Sequence, residues 1–84
     1  MQIFYSRTFE KQYRKLSSSI KLIAEEKEKI FRTNPFDPVL KTHKLHGKFA
    51  NFYAFSLNNK YRIIFDFTKE KVRFHLIGTH DIYD

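Results

Sequence analysis

The segment FYAFSLNNKYRIIFDFTKEKVRFHLI, residues 52–77, decides the fold. It contains three runs rich in aromatic and β-branched residues, the composition typical of β-strands. Asn58-Asn59 suits a two-residue turn with positive φ angles, and Thr68 to Lys71 can form the next turn. The segment therefore predicts a β-meander with strands at Phe52–Leu57, Lys60–Phe67 and Val72–Ile77.

The two turns also predict how the strands align. A two-residue turn sets Phe55 opposite Arg62, and the next turn sets Phe67 opposite Val72. Because side chains alternate along a strand, one face of the sheet becomes the core and the other faces outward. The predicted core face holds Phe52, Ala54, Ser56, Tyr61, Ile63, Phe65, Phe67, Val72, Phe74 and Leu76. The predicted outer face holds Tyr53, Phe55, Leu57, Arg62, Ile64, Asp66, Arg73, His75 and Ile77. Such a mixture of aromatic and basic groups on an outer face is typical of a binding surface.

The N-terminal half predicts a strand followed by two helices. The strand spans Gln2 to Tyr5, and Ser6 or Thr8 can cap the first helix. Apolar residues at helical spacing continue the pattern, and the serines at 17–19 break it and offer a second cap. The second helix runs to about Arg32, because Asn34 precedes a proline. We expect an α+β fold in which the N-terminal strand and a helical hairpin pack on one face of a small, largely antiparallel four-stranded sheet.

Composition restricts the class of protein. The chain has 84 residues with neither repeats nor a linker, so we expect a single domain over residues 1–84. A hydrophobic content of 42% and an aromatic content of 18% exclude intrinsic disorder. The absence of cysteine excludes disulfides and thiolate metal sites. We find neither a membrane-spanning apolar run nor the core of a signal peptide, and we therefore expect a cytoplasmic protein without a membrane partner.

The charge of the chain predicts a polyanionic partner. The formal net charge is +7, and no acidic residue lies between Asp37 and Asp66. That interval contains Lys41, Lys44, Lys48, Lys60 and Arg62. A concentrated positive field attracts phosphates and acidic protein segments alike.

Four histidines add the groups that RNA cleavage requires. His43 and His46 lie in the basic loop HKLHGK, and His75 and His80 lie near the C-terminus. Cleavage without a metal needs a group that deprotonates the 2′-hydroxyl, a cation that stabilises the phosphorane and an acid that protonates the departing 5′-oxygen. Histidine can perform both proton transfers near neutral pH, and arginine or lysine can stabilise the charge. If the fold brings these groups together, the sequence predicts a ribonuclease.

Two segments resemble a known family. NPFDPVLKTHKLHGKFANFYAFSLNNKYRIIFDF, residues 34–67, and VRFHLIGTHDIYD, residues 72–84, resemble the RelE/ParE superfamily of type II toxin–antitoxin toxins. Within it, the GTH ending and the histidine-containing loop are most similar to YafQ-like and YoeB-like mRNA interferases. The resemblance implies a RelE-like fold and a toxin that cleaves mRNA, commonly in the ribosomal A site. It also implies a cognate antitoxin as partner, with neither a metal nor a small-molecule cofactor.

The resemblance also implies roles for individual residues. Arg62 corresponds to the arginine that binds the scissile phosphate, and His80 to the C-terminal catalytic histidine. His43 corresponds to the loop histidine that complements His80, and Tyr83 to a terminal aromatic residue that assists catalysis. Further RNA contacts are expected from Lys41, Lys44, His46, Lys48, Lys60, Arg73 and His75. The chain departs from the YafQ-like pattern at Ser56 and Lys60, which replace a histidine and an aspartate, and the glutamate of YoeB-like enzymes has no clear match.

Other interpretations of the same residues stay open at this point. His43 can simply satisfy loop hydrogen bonds, and His43 with His46 can form half of a metal site. Arg62 can form a structural ion pair with Asp66 or Asp81. For the whole chain, one alternative is a ParE-like inhibitor of DNA gyrase that lacks nuclease chemistry. Another is a nucleic-acid-binding module or an inactive relative that only binds its antitoxin.

Overall fold

The computed structural model describes residues 1–83, and for Tyr83 it describes the backbone alone. The regular elements, in chain order, are β1 (Gln2–Tyr5), α1 (Arg7–Arg14), α2 (Ser18–Thr33), β2 (His43–Lys44), β3 (Tyr53–Ser56), β4 (Arg62–Thr68) and β5 (Lys71–Gly78). Three short 3₁₀ helices complete the chain, at Pro38–Leu40, at Gly47–Phe49 (the loop 3₁₀ helix) and at His80–Tyr83 (the C-terminal 3₁₀ helix). Among residues 1–83 no helix has the length and apolar character needed to cross a membrane.

The strands form one sheet in the order β1-β5-β4-β3-β2. β1 runs parallel to β5, and the other neighbours are antiparallel. The predicted α+β class is confirmed, but the sheet has five strands where we expected four. The additional strand is β2, in which His43 pairs with Ala54 and Lys44 with Tyr53. Two residues are too few to show the alternation by which a strand is recognised in a sequence.

Serine caps begin both helices. The Ser6 hydroxyl accepts a hydrogen bond from the Phe9 amide at 3.0 Å, and the Ser17 hydroxyl accepts one from the Ile20 amide at 3.3 Å. Each bond satisfies an amide that a helix N-terminus would otherwise leave without a partner. α2 ends at Thr33 because Asn34, which precedes a proline, is extended with φ of −155°.

Phe31 of α2 lies at the centre of the core between the helices and the sheet. It is fully buried, and its ring centroid lies 4.9 Å from those of Phe55 and Phe65 and 5.3 Å from that of Phe74. The neighbouring strands β3, β4 and β5 contribute one phenylalanine each to this group. Stacked and edge-on aromatic pairs contribute about 0.5–1.5 kcal/mol each beyond burial. The helical hairpin is therefore held on one face of the sheet by a predominantly aromatic core.

The predicted alignment of β3 with β4 is wrong by one residue. Phe55 pairs with Ile63 and Ser56 with Arg62, because the loop has three residues, 58–60, instead of two. The Leu57 amide donates to the Tyr61 carbonyl at 2.9 Å, and the Asn58 side chain accepts from the amides of residues 60 and 61. A shift of one residue moves every side chain of a strand to the other face. Consequently Tyr53, Phe55 and Leu57 belong to the core cluster, whereas Phe52 and Ala54 belong to a second cluster on the opposite face, and Ser56 lies on that face with Arg62.

The predicted alignment of β4 with β5 is wrong beyond a β-bulge in β5. Phe67 pairs with Val72 as predicted, and Phe65 pairs with Phe74, but Ile64 pairs with Leu76. His75 is therefore the additional residue, and the alternation reverses beyond it. As a result Ile77 lies in the core and Leu76 packs on the opposite face, the reverse of what we predicted.

Ser6 connects this bulge to the start of α1. Besides capping α1, its hydroxyl donates to the His75 carbonyl oxygen at 2.8 Å, and its amide donates to the Phe74 carbonyl at 3.0 Å. A bulge disrupts the regular ladder, and the additional residue has to find a partner for its carbonyl elsewhere. One serine thus satisfies both a helix terminus and the bulge.

We predict that Ser6→Ala lowers the free energy of unfolding more than Ser17→Ala. The second variant removes a helix cap, which costs about 1 kcal/mol, and an exposed contact of 3.1 Å with the Ser19 hydroxyl. The first also leaves the His75 carbonyl without its hydroxyl donor, and the total cost should be about 2 kcal/mol. Urea denaturation of both variants measures the difference. Equal losses would show that the Ser6–His75 bond does not stabilise the bulge.

Candidate functional site

A second apolar cluster lies on the face of the sheet that the helices leave uncovered, here called the open face. Leu45, Ala54 and Ile64 are buried at its centre. Phe49 of the loop 3₁₀ helix and Ile82 of the C-terminal 3₁₀ helix pack against them, together with Phe52 and Leu76. Burial of these side chains therefore holds both short helices on the open face, although neither helix is long enough to be stable alone.

Gly78 allows the C-terminal 3₁₀ helix to lie close to the sheet. A Cβ atom built at Gly78 would collide with the side-chain methyl group of Ile82. Gly78 is also the residue that pairs with Arg62 across β4 and β5. The chain therefore folds back directly beside Arg62 as it leaves the sheet, and His80 is the second residue after this glycine.

Arg62 and His80 are in direct contact. The distance between Arg62 Nη2 and His80 Nε2 is 3.0 Å. A guanidinium group has only donors, so this contact is a hydrogen bond when Nε2 of His80 is the acceptor. The Arg62 Nε atom is buried and has no hydrogen-bond partner among the described residues. An unsatisfied buried donor costs about 1–3 kcal/mol, which indicates that the guanidinium is not arranged for stability alone.

His43 lies on the open face two strands away from Arg62. It pairs with Ala54, which in turn pairs with Ile64 of β4. Its Nδ1 is 3.0 Å from the carbonyl oxygen of Lys41, which can only accept, so Nδ1 donates and Nε2 is left for other partners. From typical strand spacings, the Cα atoms of His43 and Arg62 are roughly 12 Å apart. The loop hydrogen bond that the sequence left open is present, and it fixes the tautomer of the ring.

His75 is paired with a carboxylate. Its Nε2 is 3.0 Å from Asp66 Oδ1, and its ring lies 4.8 Å from that of Phe52. Asp66 therefore pairs with His75. Arg62 contacts His80, and the ion pair between Arg62 and Asp66 that we considered is not observed among the described residues. Both members of the pair are about one quarter exposed, so a ligand on the open face can reach them.

The remaining candidate residues are distributed over three parts of the surface. Lys41, His46 and Lys48 are exposed in the segment around β2, and the Lys48 ammonium lies 5.6 Å from the centre of the Phe49 ring. Lys44 alternates with His43 and so projects from the helix-covered face, away from the others. Lys60 is exposed in the β3–β4 loop, and Arg73 lies on β5 opposite Asp66. The side chain of Tyr83 lies outside the described part of the chain.

The Arg62–His80 contact lies on the open face of the sheet. A cavity of about 400 Å³ lies instead on the other side of the sheet, between the helices, and Phe9, Tyr13, Glu25 and Glu28 are among its lining residues. Burial and the hydrogen bond to Glu28 raise the pKa of Tyr5 in this cavity above the ordinary value of a phenol. Within residues 1–83, no three histidine, aspartate or glutamate side chains come close enough together to hold a metal ion.

Comparisons with solved structures identify the fold. The chain matches YafQ from E. coli strain BL21(DE3) with a TM-score of 0.73 and 23% identity, over 98% of this chain and 96% of that one. It matches a YoeB/ParE toxin from Agrobacterium tumefaciens with a TM-score of 0.79 and 12% identity, over 95% and 99% of the two chains. The match to the E. coli DinJ-YafQ toxin–antitoxin complex has a TM-score of 0.70 and 25% identity, over 96% and 93%. No protein-family model and no curated protein sequence matches the chain.

These matches confirm the resemblance found in the sequence. The chain has the fold of the RelE/ParE superfamily, and its structural relatives include YafQ and YoeB. Between 93% and 99% of each of the three compared chains is covered, so the likeness extends to the whole fold and not to a fragment.

The sequence alone did not reveal which residues support the site. The two short helices are positioned by Gly78, Ile82 and Phe49. Of these, only Gly78 could have attracted attention in the sequence, because the chain has just two glycines. Asp66 was assigned to the outer face, but its pairing with His75 depends on the bulge, which no sequence pattern indicated.

We predict that Gly78→Ala separates His80 from Arg62. The added methyl group has to displace Ile82, and the C-terminal 3₁₀ helix moves with it. The imidazole NMR signals of His80 should then shift, because the hydrogen bond from Arg62 is lost. Gly47→Ala is the matched control. It strains a residue with φ of +68°, but its new methyl group meets no atom. Unchanged His80 signals in Gly78→Ala would contradict this role for Gly78.

Proposed function

We propose that this chain is the toxin of a type II toxin–antitoxin system and acts as a metal-independent mRNA endoribonuclease. The observation that carries the proposal is the contact of 3.0 Å between Arg62 and His80 on the open face. It joins a cation suited to phosphate with a group suited to proton transfer, in a fold shared with toxins. The net charge of +7 favours a polyanionic substrate.

Arg62 would stabilise the charge that develops on the phosphate. A guanidinium group binds two phosphate oxygens at once, and this geometry is stronger than the single bond to His80. Binding of RNA would therefore take Arg62 Nη2 away from His80 and leave His80 Nε2 facing the substrate. Because the arginine is held in place before the reaction, little reorganisation is needed when charge accumulates on the phosphate.

His80 would transfer protons at the scissile phosphate. As a neutral ring it can accept the proton of the attacking 2′-hydroxyl, and as an imidazolium it can protonate the departing 5′-oxygen. The second transfer requires a complement. We assign this role to His43, which as an imidazolium would keep its Nδ1 bond to the Lys41 carbonyl and present an Nε2 proton to the departing oxygen on the same face. An RNA strand bound between the two histidines would bring its 2′-hydroxyl and its departing 5′-oxygen within their reach.

The remaining basic residues would bind the rest of the RNA. Arg73 and His75 lie on the open face with Asp66, and Lys41, His46, Lys48 and Lys60 are exposed in the loops that connect its strands. Lys44 projects from the opposite face, so we assign it no contact with the substrate. We place the substrate in the ribosomal A site, in the cytoplasm. An mRNA held there is more accessible to an exposed site than to a deep pocket. Ribosome dependence is part of this proposal.

A cognate antitoxin would control the activity. The similar YafQ fold occurs in a DinJ-YafQ toxin–antitoxin complex, and a similar YoeB fold occurs in a YoeB-YefM complex from Staphylococcus aureus. An antitoxin that covers the open face, or removes the C-terminal 3₁₀ helix from it, would separate Arg62 from the substrate or from His80.

We predict that His80→Ala and Arg62→Ala abolish cleavage while the protein stays folded. Loss of a general acid–base group typically costs about 10²–10⁴-fold in rate, and loss of a charge-stabilising donor about 10²–10³-fold. Induced expression in a bacterial cell, followed by growth and by mapping of new mRNA 5′ ends, measures both effects. Arg32→Ala is the matched control, because Arg32 bonds Glu28 on α2, on the other side of the sheet.

The outcomes separate the competing functions. Growth arrest with new mRNA cuts, absent in His80→Ala and Arg62→Ala and present in Arg32→Ala, is the expected result. Arrest without cuts would contradict the nuclease and favour a binding target such as DNA gyrase. Growth without arrest in the unaltered protein would indicate an inactive relative.

A further inference from the structure

Two groups of ring and cation contacts follow one another along the open face. The first begins at Phe49, whose ring lies 5.9 Å from Phe52, and Phe52 lies 4.8 Å from His75. In the second, two residues along β5, the Arg73 guanidinium lies 6.0 Å from the centre of the Phe4 ring, and the Lys71 ammonium lies 5.7 Å from the same centre. We call these six residues the cation–aromatic strip.

The strip ends at β1, a strand for which the sequence suggested no function. Phe4 pairs with Arg73 and so shares its face of the sheet. Its side chain is 40% exposed, although the helix-covered side of the same sheet buries other phenylalanines completely. Two cations lie within reach of this one ring, and neither Lys71 nor Arg73 forms an ion pair with an acidic residue in the described part of the chain. The arrangement leaves both positive charges available to a ligand.

The end of the strip is distinct from the proposed nuclease centre. Arg73 aligns with Asp66, four residues along β4 from Arg62, and Phe4 lies two strands beyond β4. Typical strand dimensions put Phe4 roughly 16 Å from Arg62. A mononucleotide bound at Arg62 cannot reach Phe4, whereas an RNA of several nucleotides can.

We propose that Phe4, Lys71 and Arg73 form a second binding station for single-stranded RNA, which holds a nucleotide that flanks the scissile phosphate. This inference rests on the proposed ribonuclease function and extends it to β1. Single-stranded RNA is the favoured occupant because it offers both a base to stack on the ring or guanidinium and a phosphate for the two cations. An acidic peptide would use the two charges and leave the exposed ring without a partner.

The test measures RNA affinity in a protein that cannot cleave. His80→Ala is the parent, and fluorescence anisotropy records its binding of labelled single-stranded RNAs of about three and about ten nucleotides, chosen below and within the usual site sizes of such proteins. Phe4→Ala should weaken binding of the longer RNA about 10-fold, the value of one stacked base, and leave the shorter one unchanged. Phe4→Leu, which keeps an apolar side chain without a ring, should behave in the same way.

Matched controls exist on the other side of the sheet. Phe36→Ala removes a phenylalanine that is 53% exposed there, and Lys21→Gln removes an ammonium that lies 5.7 Å from the Tyr13 ring. Neither should change RNA affinity, whereas Lys71→Gln should weaken the longer RNA and reduce the salt dependence of its binding by about one charge.

Three results would overturn the second station. The first is that the parent binds the longer RNA and Phe4→Ala binds it equally well. This result would not affect the proposed nuclease function. The second is a Phe4→Ala effect that is the same for polyglutamate as for RNA, which would assign the strip to an acidic protein partner. The third is a parent that binds neither RNA, in which case the growth and mRNA mapping of the unaltered protein decide separately whether a nuclease is present.

Discussion

The hydrogen bond from the Ser6 hydroxyl to the His75 carbonyl holds the β-bulge on which both faces of the sheet depend. Before the bulge, Phe74 faces the helices; after it, Leu76 faces outward and Ile77 faces the helices. Without the additional residue, every side chain of β5 beyond Phe74 would change face. The core would lose Ile77 and the open-face cluster would lose Leu76. One serine at the start of α1 therefore connects the helical hairpin to the arrangement of side chains on the open face.

The open-face cluster both buries apolar side chains and positions the candidate site. A chain of this size buries a smaller fraction of its surface than a large domain, so a second group of buried side chains is valuable for stability. In this protein the group also holds the segment that carries His80, through Ile82, and the loop that carries Lys48, through Phe49. The histidine is consequently placed by apolar packing and by a glycine, and its ring nitrogen contacts Arg62. A charged ligand can take over that contact without unfolding the support beneath it.

Much of the architecture could be predicted from the sequence, because local signals agreed with the final fold. Ser6 and Ser17 marked the helix starts, the residue before Pro35 marked the end of α2, and the Phe67–Val72 alignment followed from the turn between them. Two features could not be predicted. The Asn58 side chain closes a loop one residue longer than the sequence indicated, and the bulge at His75 adds one residue to β5. Each of these features reverses the alternation of side chains along a strand. The prediction therefore placed Phe55 and Ala54 on the wrong faces of β3, and Leu76 and Ile77 on the wrong faces of β5.

The candidate site divides in the same way. Arg62 and His80 were singled out by residue type and by the resemblance, and the structure puts them in contact. Lys44 was singled out by charge alone, and strand alternation directs it to the other face. Asp66 was known to be an outward-facing acid, but its partner depends on the position of the bulge. Residue chemistry thus predicted two groups that lie in contact, whereas their support and pairing depend on register, which is set by contacts between distant parts of the chain.

The central claim is that Arg62 and His80 promote attack of a 2′-hydroxyl on the adjacent phosphate. The chemical ends of RNA cut in cells that express the unaltered protein test it most directly. Attack by the 2′-hydroxyl leaves a 5′-hydroxyl on one fragment and a 2′,3′-cyclic phosphate, or the 3′-phosphate derived from it, on the other. The account predicts these ends at every new cut. Fragments with 5′-phosphate and 3′-hydroxyl ends would contradict it, because they require water or another external nucleophile in place of the 2′-hydroxyl.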